Sequence, residues 1–170
     1  MGIRRGTYLM AAVILLLFLT GCSYSDKKAI REVIQNYNQN LPLALVRSNP
    51  EIMKPFVGER EYVHISTFIM QNAAQRKVMD SRLKQLEITN LDLLSGGTKL
   101  SVQSPSGLGQ VSMTVYSIAY TNEIWDYRYL DLETKKPQGQ FKPVSYTGKY
   151  LMGKIRDKWV IELLEVESKK

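Results

Sequence analysis

Near residue 84 the spacing of apolar side chains changes from three and four residues to two, and that change restricts the fold more than any other feature of this 170-residue chain. Ahead of it, Ile30, Val33, Ile34, Tyr37, Leu41 and Leu45 recur at the steps that put side chains on one face of a helix. Behind it, short alternating segments rich in Val, Ile, Thr, Tyr and Trp are broken by Gly, Pro and Asp. Helices first and strands afterwards predict an α+β domain, with N-terminal helices packed on one face of a curved antiparallel sheet. With 44% of its residues hydrophobic, a chain of this length fills one core and is short for two.

The first helix is predicted over residues 26–46, bent or interrupted at Pro42, whose missing N–H removes a helical hydrogen bond. Ser48-Asn49-Pro50-Glu51 then predicts a second start, with Ser48 capping, Pro50 in the first turn and Glu51 completing a capping box. Pro55 and Gly58 keep that helix short. A third is predicted over residues 59–83, with Tyr62, Ile65, Ile69, Ala73, Arg76 and Leu83 roughly in line. Its basic Arg76, Lys77 and Arg82 suit the negative end of the helix dipole. Strands are predicted over 85–94, 100–103, 109–121, 124–132, 144–155 and 159–167, separated by turns at 95–98, 104–107, 134–140 and 156–158.

Three helices followed by long strands, ending in a hairpin with a Trp just past its turn, resemble the NTF2-like (SnoaL-like) α+β cone. The local match is Gly148-Lys149-Tyr150-Leu151-Met152 leading through Arg156-Asp157-Lys158 to Trp159-Val160-Ile161. The resemblance spans nearly all of residues 26–166 and rests on element order, because that superfamily has no diagnostic motif. Pro42 and the extra length before the last hairpin depart from it.

The N-terminus carries a different signal. Arg4 and Arg5 precede an unbroken apolar run over residues 9–19, which as a helix spans about 17 Å against the about 30 Å of a bilayer core. That is the pattern of an export signal, too short for a permanent span. Leu19-Thr20-Gly21-Cys22 follows directly and resembles the lipobox of bacterial lipoproteins. The resemblance implies cleavage between Gly21 and Cys22, a diacylglyceryl group on the Cys22 sulfur and often a further acyl chain such as palmitate on the new N-terminus. A thiolate is the soft nucleophile that thioether formation needs, and Cys22 is the only cysteine, so no intramolecular disulfide competes for it.

The expected layout is therefore a signal peptide over residues 1–21, a short lipid-proximal tether over 22–25, and one α+β domain over 26–170. Two buried acyl chains hold a protein on a membrane, so the partner implied first is the membrane of a bacterial cell envelope. Family sorting rules treat Asp after the cysteine as an inner-membrane signal, so Ser23 implies the outer membrane where the cell has two. Three extended residues reach about 10 Å, which brings Lys27, Lys28 and Arg31 near anionic headgroups, or leaves them as plain solvated residues.

Several classes of chemistry lack the residues they need. Of the formal net charge of +7, Arg4 and Arg5 leave with the leader, and the remaining basic residues are scattered among acids, without a nucleic-acid-binding module. Gly96-Gly97 and the pair Gly107 and Gly109 are followed by no Gly-Lys-Ser/Thr, so they read as turns rather than a phosphate cradle. No cofactor motif is present. One histidine and one lipidated cysteine leave no metal set, and His64 has no nucleophile beside it in the sequence. No catalytic residue is assigned.

What remains is aromatic. Trp125, Tyr127 and Tyr129 alternate onto one face of a strand, Tyr116 and Tyr120 share a face of the one before, and Tyr146 and Tyr150 repeat the pattern. These either fill the core or line a pocket. The pocket set is Trp125, Tyr127, Tyr129, Tyr116 and Tyr150, with Asp126 as the carboxylate that would serve as base if it were buried. The expected function is that of a noncatalytic binding domain for an envelope protein partner or an apolar ligand near the membrane. Its rivals are an isomerase or dehydratase-type enzyme and a structural subunit of an envelope assembly.

Overall fold

A computed structural model describes residues 4–103 and 110–169, with side chains from Tyr24 onward apart from Gln103 and Val111. Helix α1, Arg4–Val46, runs without a break through residues 22–25, which contain no helix breaker, and on through Pro42. Its apolar stripe is the one the spacing predicts, with Ile30, Ile34 and Tyr37 fully buried. Pro42 can donate nothing to the Asn38 carbonyl one turn back. The neighbouring asparagines add side-chain bonds of their own, Asn38 Nδ2 to the Ile34 carbonyl at 2.9 Å and Asn40 Nδ2 to the Asn36 carbonyl at 2.8 Å.

The second helix is only a 3-10 turn, Pro50–Met53, and its cap is Asn49 rather than Ser48. Asn49 Oδ1 accepts from the Glu51 N–H at 3.1 Å, while Ser48 takes a left-handed φ of 51° that ends α1. Helix α2, Glu59–Ala74, stops nine residues before the predicted end. Gln75 caps it, Arg76 turns left-handed with φ 55°, and Lys77 enters the sheet.

Four strands follow: β1 Lys77–Gln103, β2 Gln110–Asp131, β3 Lys142–Ile155 and β4 Lys158–Ser168. Each pairs antiparallel with the next, so the sheet is an open meander in the order β1-β2-β3-β4. The six predicted strands are four because β1 (27 residues) and β2 (22 residues) each swallow a predicted break. Gly96 and Gly97, at φ 70° and 76°, make no reversal; they sit in the irregularity between Leu93 and Thr98 within β1. The predicted turn at 104–107 lies outside the described residues.

Further register shifts fall between Leu83 and Gln85 and between Ile88 and Asn90. Each resets the alternation, so Met79, then Leu86 and Ile88, then Leu91 and Leu93 all reach the helices although their numbers change parity. Bulges also increase local twist. The β3–β4 turn falls within the predicted 156–158 but is one residue tighter, a two-residue hairpin with Arg156 at φ 49° and Asp157 at φ 63°, because Lys158 already pairs with Ile155.

This architecture overturns the expected NTF2-like α+β cone. Two helices rather than three precede a four-stranded open meander in which sheet predominates. The third helix loses its last turns to β1 because pairing of Lys77–Leu83 with Trp125–Asp131 outweighs local helix propensity. One core, built around Ile30, Ile34, Tyr37, Tyr150, Met152 and Ile161, joins the helices to the sheet. A smaller cluster of Val102, Met113, Val115, Leu151 and Leu163 packs separately. Along the outer side of β4, the segment between the helices adds a parallel bridge from Val57 to Ile161, with Gly58 N–H to the Ile161 carbonyl at 2.8 Å.

Candidate functional site

Between the two helices and the sheet lies a half-open groove of about 420 Å³. From α1 it receives Tyr37, Asn38, Leu41 and Leu45; from α2, Glu61, His64, Ile65 and Phe68. Its sheet wall carries Met79 and Ser81 of β1 and the alternating Glu123, Trp125, Tyr127 and Tyr129 of β2, closed by Tyr146, Leu164 and Val166. Alternation explains the β2 set, since residues two apart share a face.

Two carboxylates lie at the bottom, Glu61 at 1% and Glu123 at 3% exposure. Glu123 Oε1 accepts from the Tyr150 hydroxyl at 2.6 Å and the Thr121 hydroxyl at 2.7 Å, and its Oε2 from Trp125 Nε1 at 2.8 Å. Glu61 Oε1 accepts from the Tyr37 hydroxyl at 2.6 Å, and its Oε2 from the Leu164 N–H at 3.0 Å. His64 Nδ1 stands 3.5 Å from the same Oε2, at the half-exposed rim. Gly148, paired with Thr121, makes room for this floor: a Cβ there would lie 2.5 Å from Thr121 Oγ1 and 3.0 Å from Glu123 Oε1.

The tyrosines join the two carboxylates. Tyr37 and Tyr150 meet edge to face at 6.1 Å, and Asn38 Nδ2 donates to the Tyr150 hydroxyl at 2.8 Å. Burial first, then the negative charge of the facing glutamates, pushes both hydroxyls well above the usual tyrosine range. His64 is pushed up by its hydrogen bond to Glu61, against a smaller effect of burial. Tyr146 is raised by burial and by the neighbouring Tyr127 and Tyr129. Two buried polar atoms on the wall have no partner among the described residues, Asn38 Oδ1 and Ser81 Oγ.

The sequence-predicted residues separate. Trp125, Tyr127 and Tyr129 line the groove together. Tyr150 lies beneath them, fully buried and bonded to Glu123 rather than facing the cavity. Tyr116 packs against the core elsewhere. Asp126 has the opposite parity on β2 and pairs with Lys84 at 3.3 Å, away from the groove. The helical assignment passes over Gly21 and Cys22, whose side chains lie outside the described residues.

Sequence reasoning missed Glu61 and Glu123, yet each left a signal. Glu61 stands four and eight residues before Ile65 and Ile69, on the apolar face of α2. Glu123 stands two before Trp125, in phase with the aromatic stripe. Among the described residues no group of three His, Cys, Asp or Glu side chains is placed to hold a metal ion, and no helix is long and apolar enough to cross a membrane.

No protein-family model and no curated protein matches the chain. Among solved structures it is similar to the intermembrane space region of the chloroplast protein ARC6, at a TM-score of 0.62 and 14% identity. The match covers 81% of this chain and 93% of that one. At that identity the shared property is the fold.

Proposed function

We propose that this chain is a bacterial envelope lipoprotein, anchored through Cys22, whose single domain is a noncatalytic binding module presenting the aromatic groove to a ligand or to a segment of an envelope partner. The observation that carries the binding role is the groove itself: an apolar, half-open cavity of about 420 Å³ over a fixed polar floor, within the usual size of ligand sites. The anchor rests on the basic start, the short apolar run and Leu19-Thr20-Gly21-Cys22. An envelope location accords with the intermembrane-space setting of the ARC6 region, and Ser23 after the cysteine points to the outer membrane in two-membrane cells.

Placement of the domain follows from α1. Trp159 Nε1 donates to Asp26 Oδ1 at 2.9 Å, and Lys154 Nζ lies 3.4 Å from the same oxygen. The β3–β4 turn is thereby held at the anchored end, where exposed Lys27, Lys28 and Arg31 are joined by Lys154, Arg156 and Lys158. Such a cluster suits anionic headgroups, at about 1 kcal/mol per charge close to the surface. Leu41 on the groove wall is fifteen residues farther along the helix, about 22 Å away at about 1.5 Å per residue. A helix standing off the surface holds the groove about that far from the lipid.

Two measurements on membranes from expressing cells test this. The purified native chain should begin at Cys22 and carry the mass of acyl groups, and Cys22→Ser should leave the membrane fraction. Native mass spectrometry of the detergent-extracted protein, with mild crosslinking beforehand, should show a bound small molecule or a partner that Trp125→Ala releases. An N-terminus elsewhere without lipid would end the anchor reading, and an empty groove that Trp125→Ala leaves unaffected would end the binding role.

One observation favours an enzyme as a second reading: two carboxylates and two tyrosine hydroxyls share the floor. Against it, the tyrosine protons and the Trp125 N–H are already committed to Glu61 and Glu123, so the floor is braced rather than left open for proton transfer. A bound molecule released chemically altered would decide for the enzyme.

A further inference from the structure

We infer that the groove selects a small apolar molecule carrying a protonated amine, an inference that rests on the proposed binding role and names its ligand class. The argument is a balance of donors and acceptors. Glu61 and Glu123 are both buried, and among the described residues no lysine or arginine lines the cavity. The single basic side chain on its wall is His64, half-exposed at the rim and 3.5 Å from Glu61. Lys77 stands outside, with its ammonium 5.5 Å over the Tyr129 ring.

The donors of the floor are spent. The hydroxyls of Tyr37 and Tyr150, the Thr121 hydroxyl and the Trp125 N–H all point at the two carboxylates, and Asn38 Nδ2 bonds Ile34 and Tyr150. Unspent on the lining residues are an acceptor, Asn38 Oδ1, on a residue only 1% exposed, and the Ser81 hydroxyl, both closed from solvent, while Tyr127, Tyr129 and Tyr146 bring further hydroxyls to the wall. A buried acceptor without a donor costs stability, as does a buried carboxylate without a counter-charge. An ammonium group answers both needs, because it brings three N–H donors and no acceptor.

Anions are disfavoured by the two buried carboxylates, and an uncharged molecule leaves those carboxylates without a counter-charge. A quaternary ammonium would supply charge but no donor to Asn38 Oδ1. The remaining wall, Phe68, Trp125, Tyr127, Tyr129 and Tyr146, is aromatic, which suits an apolar body and attracts a cation at the ring faces. A cavity of about 420 Å³ favours a small molecule over a folded partner's surface.

The test uses the full chain in detergent and four matched probes: 4-phenylbutylamine, its N-trimethylammonium analogue, 4-phenylbutanol and 4-phenylbutanoate. Binding is followed by Trp fluorescence with Trp125→Phe as the assignment control. The amine should bind at least tenfold tighter than the alcohol and the acid, and tighter than the trimethylammonium form. Glu123→Gln should reduce that preference tenfold or more; should it not fold, Ser81→Ala, which removes only an unpartnered hydroxyl, should weaken the amine severalfold and leave the alcohol unchanged.

Equal binding of alcohol and amine, lost in Trp125→Phe, would keep the groove as a ligand site and overturn its selectivity. Preference for a lysine-containing peptide over the free amine would overturn the small-molecule assignment. No binding of any probe by folded protein would overturn the inference, while a native partner released by Trp125→Ala would still carry the binding role.

Discussion

The hydroxyl of Tyr150 and the carboxylate of Glu123, 27 residues apart in the chain and 2.6 Å apart in the fold, tie β3 to β2 beneath the groove. Tyr150 also accepts from Asn38 of α1, so one side chain joins helix to sheet through two hydrogen bonds. Tyr150→Phe keeps the ring and its edge contact with Tyr37 but removes both bonds. The variant should lose about 1–3 kcal/mol, the usual effect of leaving buried polar groups unpaired. A lower denaturant midpoint with an unchanged slope is the expected reading.

Gly148→Ala tests the space under the floor. Its added methyl would meet Thr121 Oγ1 at 2.5 Å, Glu123 Oε1 at 3.0 Å and the Tyr150 ring at 3.1 Å. None of the three can withdraw without breaking a hydrogen bond of the network. Overpacking of this kind costs about 1–3 kcal/mol, and Trp125, bonded to Glu123, should report it as a shifted emission maximum.

The bond from Trp159 to Asp26 holds the β3–β4 hairpin against α1 just past Tyr24, where its described side chains begin. Trp159→Phe and Asp26→Ala should each lose about 1 kcal/mol. Because they remove the same contact, the double variant should lose less than the sum of the two, as a thermodynamic cycle would register. Full additivity would mean that the contact carries no energy.

His64 gives the neutral range a pH dependence of known sign. Its folded-state pKa lies above the ordinary 6.5 because protonation strengthens the bond to Glu61. The stabilisation is therefore complete below about pH 6.5 and is lost as pH rises through the folded value. Comparing denaturant midpoints on either side of that range, His64→Gln should remove this part of the decline. Half of the side chain is in solvent, so the effect should be small and weaken with salt.

At alkaline pH the buried tyrosines act in the same direction. Tyr37 and Tyr150 hold their protons well above 10 in the fold, while the unfolded chain releases them near 10. Stability should therefore fall as pH rises beyond about 10. In a spectrophotometric titration these two should ionise only together with unfolding, and Tyr37→Phe with Tyr150→Phe should remove that late step.

Much of the framework was legible because it depends on neighbours in the chain. The buried stripe of α1 follows from three- and four-residue spacing, and the β3–β4 hairpin from the polar Arg156-Asp157-Lys158 break between two alternating apolar segments. The floor was legible only in part. Asp126 was the carboxylate singled out, but strand parity sends it outward to Lys84 and sends Glu123 inward, and only knowing which face is covered separates them.

By itself the sequence determined the helix stripe and the last two strands around their turn, features governed by sterics and spacing over a few residues. Tertiary structure decided where α2 stops, how three irregularities keep β1 a single strand, and that Glu61 meets Tyr37 while Glu123 meets Tyr150. The reason is distance along the chain. Asn38 and Tyr150 are 112 residues apart, and a bond of that span forms only after sheet and helices have closed on each other, from competing partners that no local pattern ranks.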